Sequence, residues 1–299
     1  MLTLALHHDE SVFVYVNEAK TGKNKIEQLG LFPSDFSFDT QFLHQKNAGL
    51  LFENMLKEIL HALSLKNEIL YFSFSAELCY FSFYDDVDKE NIEELVDKDI
   101  WLTTLKFGSD YTERSECQVK VLHRADRKIS LICIYYPKEI LKIVKKSCRD
   151  LSCRPAGLGI NIFNLSEIAR HSSSVTEYII AVFHREMYEV MNIADNSVLG
   201  YARFSYINDN IIYFARSGNV PPAVCKALAE KNSEVLNNYV LYLSCSSGQL
   251  ESVRELSGQK DNIHILNPMN IGSPNYSKPS VAYEKKYDTV FSSALGALM

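Results

Sequence analysis

At 299 residues, 46% hydrophobic and 23% charged, the chain is too long for one small core and has no compositional bias toward disorder. A net charge of -6 argues against a general affinity for nucleic acid, which depends on clustered Lys and Arg neutralising phosphates. The seven cysteines contain no CxxC pair, and Cys148 and Cys153, the closest two, have no second pair beside them to complete a zinc site, so reduced, buried thiols are expected.

In chain order, Leu2, Leu4 and Leu6 alternate with other residues, 7–10 supply a turn, and Val12, Val14 and Val16 alternate again, which predicts a hairpin. His7, His8 and Asp9 interrupt the N-terminus before any signal-type apolar run. Nothing approaches the ~18–20 apolar residues of a membrane-spanning helix, so a cytoplasmic protein is expected. A polar stretch over 18–30 and an aromatic-rich one over 32–42 precede a helix at 48–63, where Leu51, Met55, Ile59 and Leu63 recur every four residues. A strand follows at 68–75.

Residues 77–136 have the pattern of a small inserted α+β unit. A strand at 77–83 leads to a helix opened by Asp88, with Ile92, Leu95, Val96 and Ile100 on one side and acidic residues near its positive end. Strands at 118–123 and 128–136 flank a turn at 125–127. Pro137 then opens a helix carrying Ile140, Val144, Cys148 and Leu151, whose Lys142, Lys145, Lys146 and Arg149 are interspersed with Glu139 and Asp150 and make a solvated face. A strand at 157–161 and a helix at 164–170 close the first half.

The polar run 172–174 is the expected boundary. Strands at 178–184, 189–193 and 199–206 follow, with a turn at Asp195 and Asn196, then a helix at 221–231. A βαβ unit spans 239–266, with its loop at 244–248, and a final apolar helix spans 287–299. Two halves that each start with strands and continue as alternating helices and strands predict a duplicated α/β fold: a first lobe at 1–171, bearing the insertion at about 77–136, and a second at 175–299.

Four stretches then carry a family resemblance: 132–144 (ICIYYPKEILKIV), 157–170 (GLGINIFNLSEIAR), 240–268 (VLYLSCSSGQLESVRELSGQKDNIHILNP) and the terminal VFSSALGALM. In their order the chain resembles the actin-like ATPase superfamily, and within it the PilM-type proteins of type IV pilus assembly and the cytoplasmic domain of type II secretion platforms. That resemblance implies an actin-like, ribonuclease H-like two-lobed fold and a cytoplasmic location beside the inner membrane. It also implies a bitopic inner-membrane partner whose cytoplasmic peptide is bound, and is compatible with a homo-oligomer. A secretion-platform domain with a membrane helix beyond Met299 is a further reading.

Active members of the superfamily carry an Asp-x-Gly turn between the first two strands of each lobe, because a backbone without a side chain must approach the phosphates. Here the corresponding turns are His7-His8-Asp9-Glu10 and His184-Arg185-Glu186, with no glycine. The adenosine-side loop keeps only Gly248 after Ser246 and Ser247. A vestigial nucleotide cleft at Asp9, Ser246, Ser247 and Gly248 is therefore expected, with no catalytic residue, no metal, and ATP with Mg²⁺ disfavoured. The rival reading is an ATPase or kinase in which Asp9 and Glu186 orient the metal.

Other chemistry is thin. His7 and His8 are neighbours that would point to opposite faces of a strand, so they cannot easily share an ion. Cys245 is read as a loop thiol before a helix, without a nameable base. The aromatic set around Tyr80, Phe81 and Phe83, with Trp101 downstream, reads first as core and second as a groove for an extended peptide.

Overall fold

A computed structural model describes residues 1–6, 10–18, 24–33, 36, 38–125, 128–172, 175–184, 187–195, 197–245, 249–258, 261–266 and 276–277. The first half contains strands β1 (Leu2–Leu6), β2 (Glu10–Glu18) and β3 (Asn24–Pro33), helices α1 (Thr40–Leu43) and α2 (Ala48–Ala62), and β4 (Ile69–Phe74). Next come β5 (Tyr80–Asp88), α3 (Ile92–Phe107), α4 (Ser109–Arg114), β6 (Ser115–Ala125) and β7 (Lys128–Pro137). Helix α5 (Lys138–Asp150), β8 (Arg154–Ile160) and α6 (Asn161–Ser172) follow. The second half contains β9 (Glu177–Phe183), β10 (Tyr188–Ala194), β11 (Ser197–Ile207), β12 (Asn210–Gly218), α7 (Pro222–Ala229), α8 (Ser233–Leu236), β13 (Leu241–Cys245), α9 (Leu250–Ser257), β14 (Ile263–Ile265) and the short β15 (Tyr276–Ser277). The final helix expected at 287–299 lies outside the described residues.

The two halves repeat one topology. The first sheet runs β15-β3-β2-β1-β4-β8 and the second β12-β11-β10-β9-β13-β14. In each, three antiparallel strands (β1 to β3, β9 to β11) are followed by two parallel ones beside the first (β4 and β8, β13 and β14). The central strands read as continuous apolar runs because helices cover both faces, and every residue of β1 and of β13 is buried.

Leu2, Leu4 and Leu6 of β1 and Leu70, Phe72 and Phe74 of β4 pack under α2 and α5, through Phe52, Leu56, Ile59, Ile140 and Val144. The opposite face of that sheet gives Ala5, Val14 and Ile26 to a larger core built on β9, β13, α7 and α9. Helix α6 belongs to this second core, through Ile162, Leu165, Ile168 and Ala169, although it precedes the 172–174 run.

Three expected spans differ. The polar stretch 18–30 contains most of β3, and β12 was not anticipated at all; both are outer strands whose sequence lacks a plain apolar alternation. The strand expected at 77–83 begins only at Tyr80, as β5; before it Ala76–Leu78 form a 3₁₀ turn, held by Ser75 Oγ accepting from the Glu77 N–H at 3.2 Å.

The insertion is a three-stranded antiparallel sheet, β5-β7-β6, with both faces covered. Ile129, Leu131, Cys133 and Tyr135 lie beneath α3. Phe81, Ile132 and Ile134 face the second sheet, where the Phe81 ring meets Tyr201 edge-on at 4.8 Å and Phe163 of α6 at 5.7 Å. Gly218 turns the end of β12 with φ of 68°, and a Cβ there would stand 2.3 Å from the Leu199 carbonyl and 3.1 Å from the Phe83 ring.

The inward side of α3 corrects the expected stripe. Ile92, Leu95 and Val96 do face the small sheet, but the next inward positions are Asp99 and Thr103, both buried, while Ile100 is exposed. Two tyrosines make this acceptable: Tyr84 donates to Asp99 Oδ1 at 2.6 Å and Tyr135 to Oδ2 at 2.7 Å. Asp99→Ala removes the acceptor of both hydroxyls and should lower stability by about 2–3 kcal/mol in urea unfolding, against about 1 kcal/mol for Tyr84→Phe.

Candidate functional site

Parallel strands of this kind present their carboxyl ends to ligands. In the first sheet those ends are filled by side chains. Ser73 Oγ donates to Asn161 Oδ1 at 2.5 Å, Asn164 Nδ2 donates to Ser73 Oγ at 2.5 Å, and Asn161 Nδ2 donates to the Leu6 carbonyl at 3.2 Å. This network pins the start of α6 to β1 and β4. Gly159 of β8 leaves room for it, since a Cβ there would stand 2.9 Å from Asn164 Oδ1.

The second sheet brings a charged cluster to the same region. Glu189 on β10 is buried and lies opposite Arg203 on β11 in the strand register. His184, just after β9, places Nε2 3.8 Å from Glu189 Oε2. Arg203 Nη1 lies 3.9 Å from Oε1 of Glu77, which the 3₁₀ turn after β4 supplies. Burial and then Glu189 push the Tyr201 hydroxyl well above its ordinary range, and the same two causes raise the Cys79 thiol to about 12 against the opposing pull of Arg203.

The cluster therefore ties the turn after β4 to β10 and β11 by charge in a largely dry setting. Two carboxylates stand in it, and its guanidinium already faces one of them. Arg203→Met leaves Glu77 and Glu189 without that cation and should cost about 2–3 kcal/mol, read as a lowered midpoint in thermal and urea unfolding.

Of the residues singled out from sequence, His7, His8, Asp9, Glu186, Ser246, Ser247 and Gly248 lie outside the described residues. Cys245 is not a loop thiol: it is the last residue of β13 and is buried. Among the described residues no group of metal-ligating side chains converges.

The four aromatics proposed as one docking surface are not brought together. Phe81 is core, Phe83 packs beside it at 6.5 Å, and Tyr80 points to the other face of the strand, where Phe107 meets it at 4.9 Å and Lys106 Nζ lies 4.6 Å from its ring centre. Trp101 lies on the outer side of α3, 59% exposed, away from the other three. Alternation along a strand divides neighbours between opposite faces, and this is what separates Tyr80 from Phe81.

Instead, a cleft of about 100 Å³ opens between the first sheet and the inserted one. Leu158 and Ile160 of β8, Ile140 and Leu141 of α5, and Gln118 and Tyr136 of the small sheet line it, with Cys79 beneath. Both bordering strands are sheet edges: among the described residues β8 pairs with β4 alone and β6 with β7 alone. Leu158 is 41% exposed, and the flanking Gly157 is covered on its other side by the Tyr71 ring, 2.7 Å from where a Cβ would lie. Sequence reasoning missed this site because its walls come from strands 40 positions apart; the GLGI run at 157–160 was the one local sign of unusual packing.

No family model matches the sequence, and no curated protein matches it. Solved structures do. A chain of a PilM-PilN type IV pilus biogenesis complex superposes over 99% of this chain and 97% of its own with a TM-score of 0.67 at 14% identity. The cytoplasmic domain of EpsL, an inner-membrane component of the type II secretion system of Vibrio cholerae, covers 99% of this chain and 94% of its own with a TM-score of 0.47 at 9% identity. The ethanolamine utilization protein EutJ from Carboxydothermus hydrogenoformans covers 99% and 88% with a TM-score of 0.43 at 7% identity. The first of these, with the twice-used strand order, shows that the chain has the duplicated actin-like, ribonuclease H-like fold.

Proposed function

We propose that this chain is a non-catalytic scaffold that holds an extended cytoplasmic peptide of a membrane-spanning assembly protein, in a pilus or secretion system. The observation that carries the reading is the cleft bounded by the β8 and β6 edges. An edge strand offers backbone N–H and C=O groups to an incoming strand, while the Leu158, Ile160 and Tyr136 side chains offer an apolar pocket for one of its residues. The likeness to a chain of a PilM-PilN complex supports the choice of partner, and two carboxylates in the charged cluster support the absence of phosphate chemistry. Among the described residues no helix is long and apolar enough to cross a membrane, so attachment to the inner membrane would run through that partner.

The test is direct binding of a labelled peptide covering the cytoplasmic segment of the bitopic protein encoded nearby. Saturable binding is expected, weakened at least about tenfold by Leu158→Arg and by Leu141→Arg, both at the cleft wall. Binding untouched by both variants would remove the cleft from the reading, and no binding at all would remove the partner. Calorimetry with Mg-ATP should give no saturable heat; measurable affinity that disappears in Asp9→Ala would establish the ATPase or kinase reading instead.

A further inference from the structure

Helix α5 carries its cations on one side. Ile140, Ile143, Val144, Ser147 and Cys148 are buried, and the opposite arc presents Lys142, Lys145, Lys146 and Arg149 to solvent, preceded one turn earlier by Lys138. Glu139 and Asp150 sit at one flank, where they bond Lys142 at 3.1 Å and Arg149 at 3.2 Å, whereas Lys145 and Lys146 make no ion pair among the described residues. Over 138–154 six cations stand against two carboxylates, in a chain whose net charge is -6.

Beside the end of this helix an opening of about 670 Å³ separates the last turns of α2 and α5. Lys57, His61 and Lys66 line it together with Ser64, Asn67 and Ser152, and no carboxylate does. Complementing the helix ends does not account for these cations. The carbonyls of Ile59, Leu60 and His61 already accept from the N–H groups that follow α2, and those of Ser147, Cys148 and Arg149 from the N–H groups that follow α5, all at 2.7–3.1 Å. Lys57 also precedes the last turn of α2, and Lys66 lies beyond its cap. Leu50, 58% exposed, stands two turns before Lys57 on the same side of α2.

We infer that this face, α5 with the open end of α2, rests on an anionic lipid bilayer. The cations of α5 run over about 16 Å of helix and meet a plane of fixed phosphates at several points at once. The opening admits a phosphate headgroup beside Lys57 and Lys66, and Leu50 supplies an apolar side chain to the interface. The net charge of -6 sets the rest of the chain against the same plane, so contact is confined to this side and the orientation is fixed. The inference rests on the reading of the chain as a component held at the inner membrane by its partner, to which it adds a direct and weaker contact. It uses none of the residues that line the peptide cleft.

Flotation of the full chain, without peptide, with phosphatidylcholine vesicles containing about one third phosphatidylglycerol should recover it with the lipid, and vesicles of phosphatidylcholine alone should not. Binding should fall as salt rises. Lys145→Glu with Lys146→Glu, at exposed positions and checked by circular dichroism for intact folding, should weaken it at least about tenfold, and Lys145→Arg with Lys146→Arg should retain it. Lys57→Glu with Lys66→Glu should weaken it as well. The same charge change on α3 and α7, Lys98→Glu with Lys226→Glu, should leave it intact. Equal recovery with neutral vesicles, tolerance of either lysine reversal on α2 or α5, or an equal loss in the α3 and α7 variant would each overturn the inference. So would displacement by millimolar glycerol phosphate, the mark of a site for the free anion, or equally strong capture of a DNA duplex, the mark of a general polyanion site. Because peptide is left out, none of these outcomes bears on the peptide cleft.

Discussion

A three-stranded antiparallel sheet that is apolar on both faces has to be covered twice, and this requirement organises the middle of the molecule. Along β7, Ile129, Leu131, Cys133 and Tyr135 alternate with Ile132 and Ile134, so neither face can be left to water. One face recruits α3, and the other is pressed on β11 and β12 through Phe81 against Tyr201. The cleft beside β8 exists because the small sheet is held at that position, with its β6 edge opposite the edge of the first sheet.

The charged cluster works alongside this packing. Glu77, Arg203, Glu189 and His184 come from a turn, two strands and the residue that follows a third, and they join the segment entering the insertion to the sheet on which the insertion rests. Buried charge contributes little net stability when paired and is costly when broken, so its effect is to specify one arrangement of the pieces. Beside it, the Ser73, Asn161 and Asn164 network fastens the start of α6 to the first sheet.

Much of the fold was legible because central strands and amphipathic helices announce themselves. The Leu2, Leu4 and Leu6 alternation, the four-residue recurrence in α2 and the apolar run of β9 each specify one local structure. What escaped was decided by tertiary context. β12 shows its apolar residues Ile212 and Phe214 to solvent, which defeats a reading that assigns apolar residues to the inside. Asp99 takes the inward place that Ile100 was given, because Tyr84 and Tyr135, distant in sequence, supply its hydrogen bonds. The candidate sites were least legible of all. Residues 118, 136, 141 and 158 become neighbours only after two sheets have been positioned, and no spacing along the chain encodes that.

Helix α6 has a consequence for how the protein is made. Its apolar residues belong to a core most of whose other members, on β9 to β11, β13, α7 and α9, lie later in the chain, and α9 ends at Ser257. During synthesis from the N-terminus, Ile162, Leu165 and Ile168 therefore emerge from the ribosome well before the surfaces that will bury them. The first half is an incomplete folding unit on its own, and in the interval a nascent chain exposes a sticky helix that a chaperone has time to hold.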